Sequence, residues 1–313
     1  MEVNKVAVDA NLLETTSHGN REFPMDVYRD DFSKYYTNII NWHWHPEIEF
    51  VMITKGKIEY NTEEETLILS EGDGIFINSN TLHMAKSIDG YQDSLMFSVV
   101  VSPKLIYNDT ESIIYKKYVK PIVECSKLSY LKLDKSNTWQ KQILSHLLYI
   151  DSLKFNEEHG FEFIIKNQIS LIWQLIALNT SHLYLHNNCP INSHSLSQER
   201  LKQMLRFIHK NYFKNITIDD IAKSANISRS ECFRCFKKMI NTKPFSYLTD
   251  FRLEKSLQLL LETDIPVSDI CYSCGFNHSS YYGKLFREKF GISPSSYRKS
   301  SAVSDRKSTR LNS

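Results

Sequence analysis

Residues 216–248 read ITIDDIAKSANISRSECFRCFKKMINTKPFSYL, and residues 265–298 read IPVSDICYSCGFNHSSYYGKLFREKFGISPSSYR. The two stretches are one pattern written twice. Asp220 and Ile221 recur as Asp269 and Ile270, an offset of 49. After the turn the offset is 50: Arg234 recurs as Lys284, Phe236 as Phe286, Lys237 as Arg287, Pro244 as Pro294 and Tyr247 as Tyr297. One extra residue in the second turn explains the slip. An internal repeat fixes the architecture before any single motif is weighed.

Each copy predicts a helix, a tight turn and a second helix. Thr217 can N-cap a helix over 218–225, whose apolar side is Ile218, Ile221, Ala222 and Ala225. Asn226 suits the turn conformation that a Cβ makes costly, and Gly275 stands there in the second copy. Ser228 can cap a second helix over 229–240, with Cys232, Cys235, Phe236 and Met239 on one side. Arg229, Ser230, Phe233, Arg234 and Lys237 fall largely on the other, and Lys238 adjoins them. A helix with a packed back and a basic front fits the major groove of B-DNA. Asn277 or Ser279 can cap the equivalent helix, which ends near Gly291. Between the copies, Pro244 opens a helix through about Glu262 whose Phe245, Leu248, Phe251, Leu257, Leu260 and Leu261 would bridge both units. A leading helix over 198–212 carries Leu201, Leu205, Ile208 and Tyr212.

Charge follows the same division. Residues 194–300 hold 18 Lys and Arg against 10 Asp and Glu, whereas residues 1–193 hold 17 against 25. The formal charge of +2 therefore conceals a basic C-terminal third, suited to phosphate attraction.

The C-terminal region resembles the DNA-binding domain of the AraC/XylS family of transcription regulators over about Ser197 to Arg298, a third of the chain. The carriers are DIA near Ile221, Arg234-x-Phe-Lys, CGF at Cys274, Ser-Ser-Tyr-Tyr from Ser279, and GISPSSYR. The resemblance implies that the fronts of both recognition helices touch base edges. Those positions are Ser230, Phe233 and Arg234 in the first unit, and Ser279, Ser280, Gly283 and Lys284 in the second, with Arg287 beside them. Phe233 departs from the usual polar residue; it either meets a thymine methyl or simply packs. Gly283 offers no side chain, so the second helix is expected to position more than it specifies.

The cysteines invite a zinc reading, since Cys232-x-x-Cys235 and Cys271-x-x-Cys274 form two pairs. The pairs fall on different helices of the two copies and on packed faces. Small buried core residues are the better account.

Before residue 120 the pattern changes to short β-rich runs: 48–53, 57–60, 66–69, 74–77 and 94–101, separated by turn signals such as Lys55-Gly56 and Asp89-Gly90. Closely spaced short strands predict a small barrel or jelly roll. Within it lies His43-Trp-His45-Pro-Glu-Ile-Glu49, then Gly56; Gly72, Asn78, Asn80 and His83 follow. This resembles both motifs of the cupin barrel, the usual sensor of the regulator family, although Asn78 and Asn80 replace the general Pro and Gly. The resemblance makes His43, His45, Glu49 and His83 either a divalent-metal set, chemically suited to Fe, Mn, Ni or Zn, or residues that line a pocket and touch ligand directly. The second is expected, with no cofactor. Trp42 and Trp44 are read as packing residues, and Phe23 and Tyr28 as inward aromatics of the barrel.

Residues 135–186 predict two amphipathic helices joined near 156–160, on Trp139, Ile143, Leu147 and Ile150, then Phe161, Ile165, Ile169, Ile172 and Ile176. They would cover the barrel and, by resemblance, form a homodimer. The stretch 161–178 is too polar for a membrane span, and no secretory signal is evident, so a cytoplasmic setting with reduced thiols is expected.

The predicted class is α+β, multidomain: a cupin-like ligand-sensing β-barrel (1–120), a helical hairpin connector (121–186), a linker (187–196) and an all-α domain with two helix-turn-helix units (197–299). The tail 300–313 is polar, is read as disordered, and ends in SDRKSTRLNS, which looks foreign to the fold. The expected function is a sequence-specific regulator, an activator by resemblance. Its partners would be double-stranded DNA, a small-molecule effector (a carbohydrate on family grounds) and RNA polymerase. The alternative is a metal-dependent cupin enzyme fused to a DNA-binding module.

Overall fold

The computed structural model describes residues 6–9, 11–35, 38–88, 93–184 and 193–299. The chain divides into two compact units, with the boundary between Glu199 and Arg200. The expected linker core, 187–192, and the tail, 300–313, lie outside the described residues.

Among the described residues, the first unit is built on nine strands: β1 (Met25–Asp31), β2 (Ile39–His43), β3 (Ile48–Lys55), β4 (Lys57–Thr62), β5 (Thr66–Ser70), β6 (Gly74–Ile77), β7 (His83–Ser87), β8 (Leu95–Val101) and β9 (Tyr130–Leu133). They form two antiparallel sheets, ordered β1-β8-β3-β6-β9 and β2-β7-β4-β5. The two-residue period of β3 sorts its side chains. Ile48, Phe50 and Met52 join the cluster shared with the helices, while Val51 and Ile53 join the one between the sheets. Both faces are covered, so β3 reads as an unbroken buried run rather than an alternating one.

A short helix α1 (Lys120–Val123) precedes the hairpin of α2 (Thr138–Asn156) and α3 (Phe161–Tyr184). The joint falls where expected, with Glu157 and Gly160 in left-handed backbone. Ile143, Leu147, Ile150, Ile165, Ile169, Ile172 and Ile176 are buried against the five-stranded sheet. Each is worth roughly 1.5–3 kcal/mol on the transfer scale. One expectation needs correction. Taken by length and composition alone, α3 is apolar enough to cross a membrane. Its row from Ile165 to Ile176 is nevertheless consumed by the barrel core.

The second unit is helical: α4 (Ser193–Asn211), which enters it at Arg200, then α5 (Ile218–Ser224), α6 (Arg229–Ile240), α7 (Pro244–Glu262), α8 (Val267–Ser273) and α9 (Ser279–Phe290). A further turn of helix spans residues 294–299. The offsets of 49 and 50 are structural as well. α5 and α8 are equivalent seven-residue helices, and α6 and α9 equivalent twelve-residue ones. Thr217 and Asp220 make a reciprocal capping box, and Ser228 caps α6 through the Glu231 amide. The second copy differs: His278, neither Asn277 nor Ser279, is the N-cap of α9, and it makes no side-chain cap. The inserted residue shifts the helix start by one. Phe245 is likewise corrected; it is exposed at the first turn of α7, while Leu248, Leu253, Leu257 and Leu260 carry the packing.

Candidate functional site: a barrel cavity and two basic helices

The four expected residues meet inside the barrel. β2 ends at His43, and His45 follows in the turn to β3. Glu49 shares the inward parity of Val51 and Ile53, and His83 opens β7 opposite His43 in the ladder. All four are buried. The three histidines each offer a ring nitrogen within 4.8 Å of the others. Glu49 Oε2 lies 3.1 Å from His83 Nε2 and 3.7 Å from His45 Nε2. Burial and the neighbouring imidazole of His83 push His43 down to about 3, so its ring is neutral. Burial opposes charge on Glu49, but His45 and His83 beside it hold its carboxyl well below the usual range.

The second motif works despite its altered letters. Asn80 adopts left-handed backbone, φ 62°, where the general pattern has glycine. Its amide donates to His45 O at 2.8 Å. Asn78 donates from its side chain to Ile122 O and Leu128 O at 2.8 and 2.9 Å, tying the motif to the segment after the barrel.

A cavity of about 200 Å³ opens onto His43 and Glu49; His45 and His83 stand behind them. Its wall includes Glu14, His18, Tyr28, Asp30, Tyr35 and Tyr60, with no lysine or arginine among the described lining residues. The sequence reading named only Tyr28 among these. Phe23, expected inside, instead packs edge-to-face on Phe161 of α3. Trp42 and Trp44 are half-buried, and Trp44 Nε1 donates to Asn11 O at 2.9 Å. Burial, net of the hydrogen bond from Tyr35 and with the charges of Glu49 and Glu14 nearby, raises Asp30 to about 6. Burial lifts Tyr28 to about 12.

The histidines also fit a divalent ion. His43 Nδ1 faces Asn41 O at 2.7 Å, His45 Nδ1 faces Glu47 O at 3.2 Å, and His83 Nδ1 faces Thr81 O at 2.9 Å. In a neutral ring that contact makes Nδ1 the donor and turns the Nε2 lone pair inward. His83 Nε2 is buried without an aligned hydrogen bond, although Glu49 is near. His43, His45, His83 and Glu49 would hold such an ion, which supplies Lewis acidity when bound.

In the helical unit Arg229, Ser230, Phe233, Arg234, Lys237 and Lys238 are all exposed along α6, and Cys232, Cys235, Phe236 and Met239 are buried behind them. Phe233 is 42% exposed on that front. Arg229 pairs with Asp219 at 2.9 Å and Arg234 with Glu231 at 2.5 Å, contacts in high dielectric that cost little to exchange for a phosphate or base. On α9, Ser279, Ser280, Lys284 and Arg287 are exposed, and Gly283 has open space where a Cβ would stand. A shallow groove runs along Ser280, Gly283, Lys284, Arg287, Glu288 and Ser293, with Lys284 and Glu288 3.8 Å apart. The four cysteines of the two C-x-x-C pairs are buried, and burial raises the Cys232 and Cys274 thiols to about 11.

Comparison with known proteins agrees with both halves. A helix-turn-helix domain model matches residues 221–300, and a cupin domain model matches residues 37–99. An uncharacterized HTH-type transcriptional regulator of Bacillus subtilis (strain 168), YdeC, is 37% identical over 292 residues, covering 93% of this chain and 97% of its own. The chain belongs to the AraC family of transcription regulators.

Other AraC-family relatives align less completely. The lactose operon transcription activator of Staphylococcus xylosus is 40% identical over 100 residues, 32% of this chain and 36% of that one. The melibiose operon regulatory protein of Escherichia coli (strain K12) is 24% identical over 257 residues, 82% and 83% of the two chains. These relatives are named as transcription regulators rather than enzymes. Glu14 and His18 escaped the sequence reading because they precede the barrel motifs, in a stretch with no periodicity. Their only signal is an acid and an imidazole four apart ahead of the first strand.

Proposed function

We propose that this AraC-family chain is a cytoplasmic, sequence-specific activator whose DNA binding responds to a small molecule in the barrel. The observation that carries the reading is the pairing in one chain of a barrel cavity lined by imidazoles, carboxylates and phenols with two basic, outward-facing helices in register. Arg229, Ser230, Phe233, Arg234, Lys237 and Lys238 of α6, with Ser279, Ser280, Gly283, Lys284 and Arg287 of α9, form the reading surface. His43, Glu49 and their neighbours take the effector. An unphosphorylated carbohydrate suits the wall: carboxylates, phenols and imidazoles accept and donate to hydroxyls, and among the described lining residues there is no lysine or arginine to meet a phosphate. The lactose and melibiose operon relatives point the same way. A cavity of about 200 Å³ favours one ring over two. The switch requires unequal affinity of the sugar for two states. Operator affinity measured across a panel of neutral monosaccharides is expected to change about fivefold or more, ~1–3 kcal/mol of coupling, for the effector. A sugar that binds tightly yet leaves operator affinity unchanged removes the switch.

We also propose a homodimer through α3. Ile164, Leu171 and Leu178 recur every seven residues and are exposed, a seam that a second copy would cover. Leu171→Arg is expected to shift sedimentation equilibrium toward monomer without unfolding the chain. A wild-type chain that sediments as a monomer at tens of micromolar contradicts this. Contact with RNA polymerase belongs to the activator reading.

A second reading, favoured by the converging imidazoles, is a metal-loaded barrel, of which a metal-dependent enzyme is the extreme form.

A further inference from the structure

Equivalent positions on the two recognition helices carry opposite side chains. Phe233 is the fifth residue of α6, and Gly283 is the fifth of α9. The pattern around them is shared. Cys232 and Tyr282, one residue earlier, are buried, and so are Phe236 and Phe286, three residues later. The fifth position therefore lies on the outward face of both helices. Phe233 is exposed there, and Gly283 has nothing within 4 Å of where a Cβ would stand. On α6 the neighbours of Phe233 one turn to either side include Arg229, Ser230 and Lys237, all exposed. The row is cationic and hydrogen-bonding except at its centre.

We propose that Phe233 reads a thymine through its methyl group, and that α9 makes no matching contact at Gly283. The proposal rests on α6 as a base-reading helix and adds the base, and the group on it, that one residue recognises. The chemistry leaves little choice. A phenyl ring has no hydrogen-bond donor or acceptor, so it can discriminate bases only by apolar contact. Among the base edges of the major groove, the prominent apolar group is the C5 methyl of thymine. In the free protein the exposed part of the ring is in water, and a methyl seated on it takes apolar surface of both partners out of water. Arg229, Ser230 and Lys237 around the ring would meet phosphates and polar base edges, which holds the ring against the floor of the groove. With no side chain at Gly283, the thymine requirement falls on one block of the site only.

The test uses the full chain and a DNA site selected by it, with each thymine in turn replaced by deoxyuridine. That exchange removes the methyl and keeps every hydrogen-bonding group of the base. For wild type, one thymine in the block that Arg234→Ala relaxes is expected to cost about fourfold in affinity when its methyl is lost, the worth of one buried methyl. Phe233→Ala should bind the thymine site about fourfold or more weakly and be indifferent to that exchange. Phe233→Leu, still apolar, should keep part of the preference. Alanine at this exposed position preserves the helix, and a melting curve checks that it has. Wild type that is indifferent to every methyl in that block overturns the proposal with no variant involved. If wild type and Phe233→Ala lose equally at each thymine while Arg234→Ala relaxes a base position, α6 reads DNA and the assignment of Phe233 is wrong. If Arg234→Ala relaxes no position either, base reading by α6 falls with it.

Discussion

Gly275→Ala is expected to cripple the second helix-turn-helix unit and to remove one half of the DNA footprint. Gly275 turns the chain between α8 and α9 at φ +83°. Left-handed backbone costs a residue with a Cβ about 1–2 kcal/mol. The larger problem is space. A Cβ there would stand 2.4 Å from Tyr212 O and 2.9 Å from Arg252 Nε and Nη2. Tyr212 O cannot retreat freely, because Arg252 Nε donates to it at 2.7 Å and Arg252 Nη2 donates to Lys214 O at 2.7 Å. Overpacking of this kind adds ~1–3 kcal/mol. Against a total of roughly 5–15 kcal/mol for a domain, the sum is a large share. Thermal unfolding and footprinting of the full chain check it. Gly283→Ala is the internal control: it lies inside α9 with nothing within 4 Å of the added Cβ, so it should melt no lower than wild type. A Gly275→Ala protein with an unchanged melt and a complete footprint would contradict the packing account.

Arg234→Ala is expected to cost about 1–3 kcal/mol on a selected site and to relax base preference at one position, with little loss on random DNA. Arg234 is exposed on the front of α6, and its ion pair to Glu231 is a surface contact it can exchange. Its back-face neighbours Cys235 and Phe236 are buried, so the helix itself should survive the change. Lys238→Ala provides the contrast. A phosphate contact should weaken specific and random binding alike and flatten the salt dependence. Quantitative binding to both DNAs over a salt series separates the two. Equal loss on both for Arg234→Ala would refute a base-reading role.

The helical unit was legible because its information is local. Thr217, Ser228, Asn226 and Gly275 carry caps and turns in their own side chains or backbone, and the repeat checks each assignment against its twin. The one misplaced cap, at His278, sits where the inserted residue breaks that twinning. The barrel was legible only where strands run consecutively. β1 reaches its place by pairing with β8, Met25 against Val101, and β9 closes the sheet edge beside β6. Such distant pairings bring Asp30 and Tyr35 to the cavity with no trace in spacing. Glu14 and His18 arrive the same way, through the contact with Trp44. Asn80 shows the reverse case. The letter is wrong for the motif, but asparagine tolerates the left-handed turn and the backbone geometry is kept. Within the core, volume and parity decide; at the site, residues far apart in sequence decide.

The central claim is that one chain reads DNA sequence with two helices in register. The most direct test is selection of bound fragments from a random DNA pool by the full-length protein at near-physiological salt, followed by sequencing. The account predicts two short enriched blocks about one helical turn, ~10–10.5 base pairs, apart, one of which degenerates in Arg234→Ala. Salt-sensitive retention with no enriched sequence would contradict it, leaving the basic unit as a phosphate-binding surface and the barrel as the seat of function.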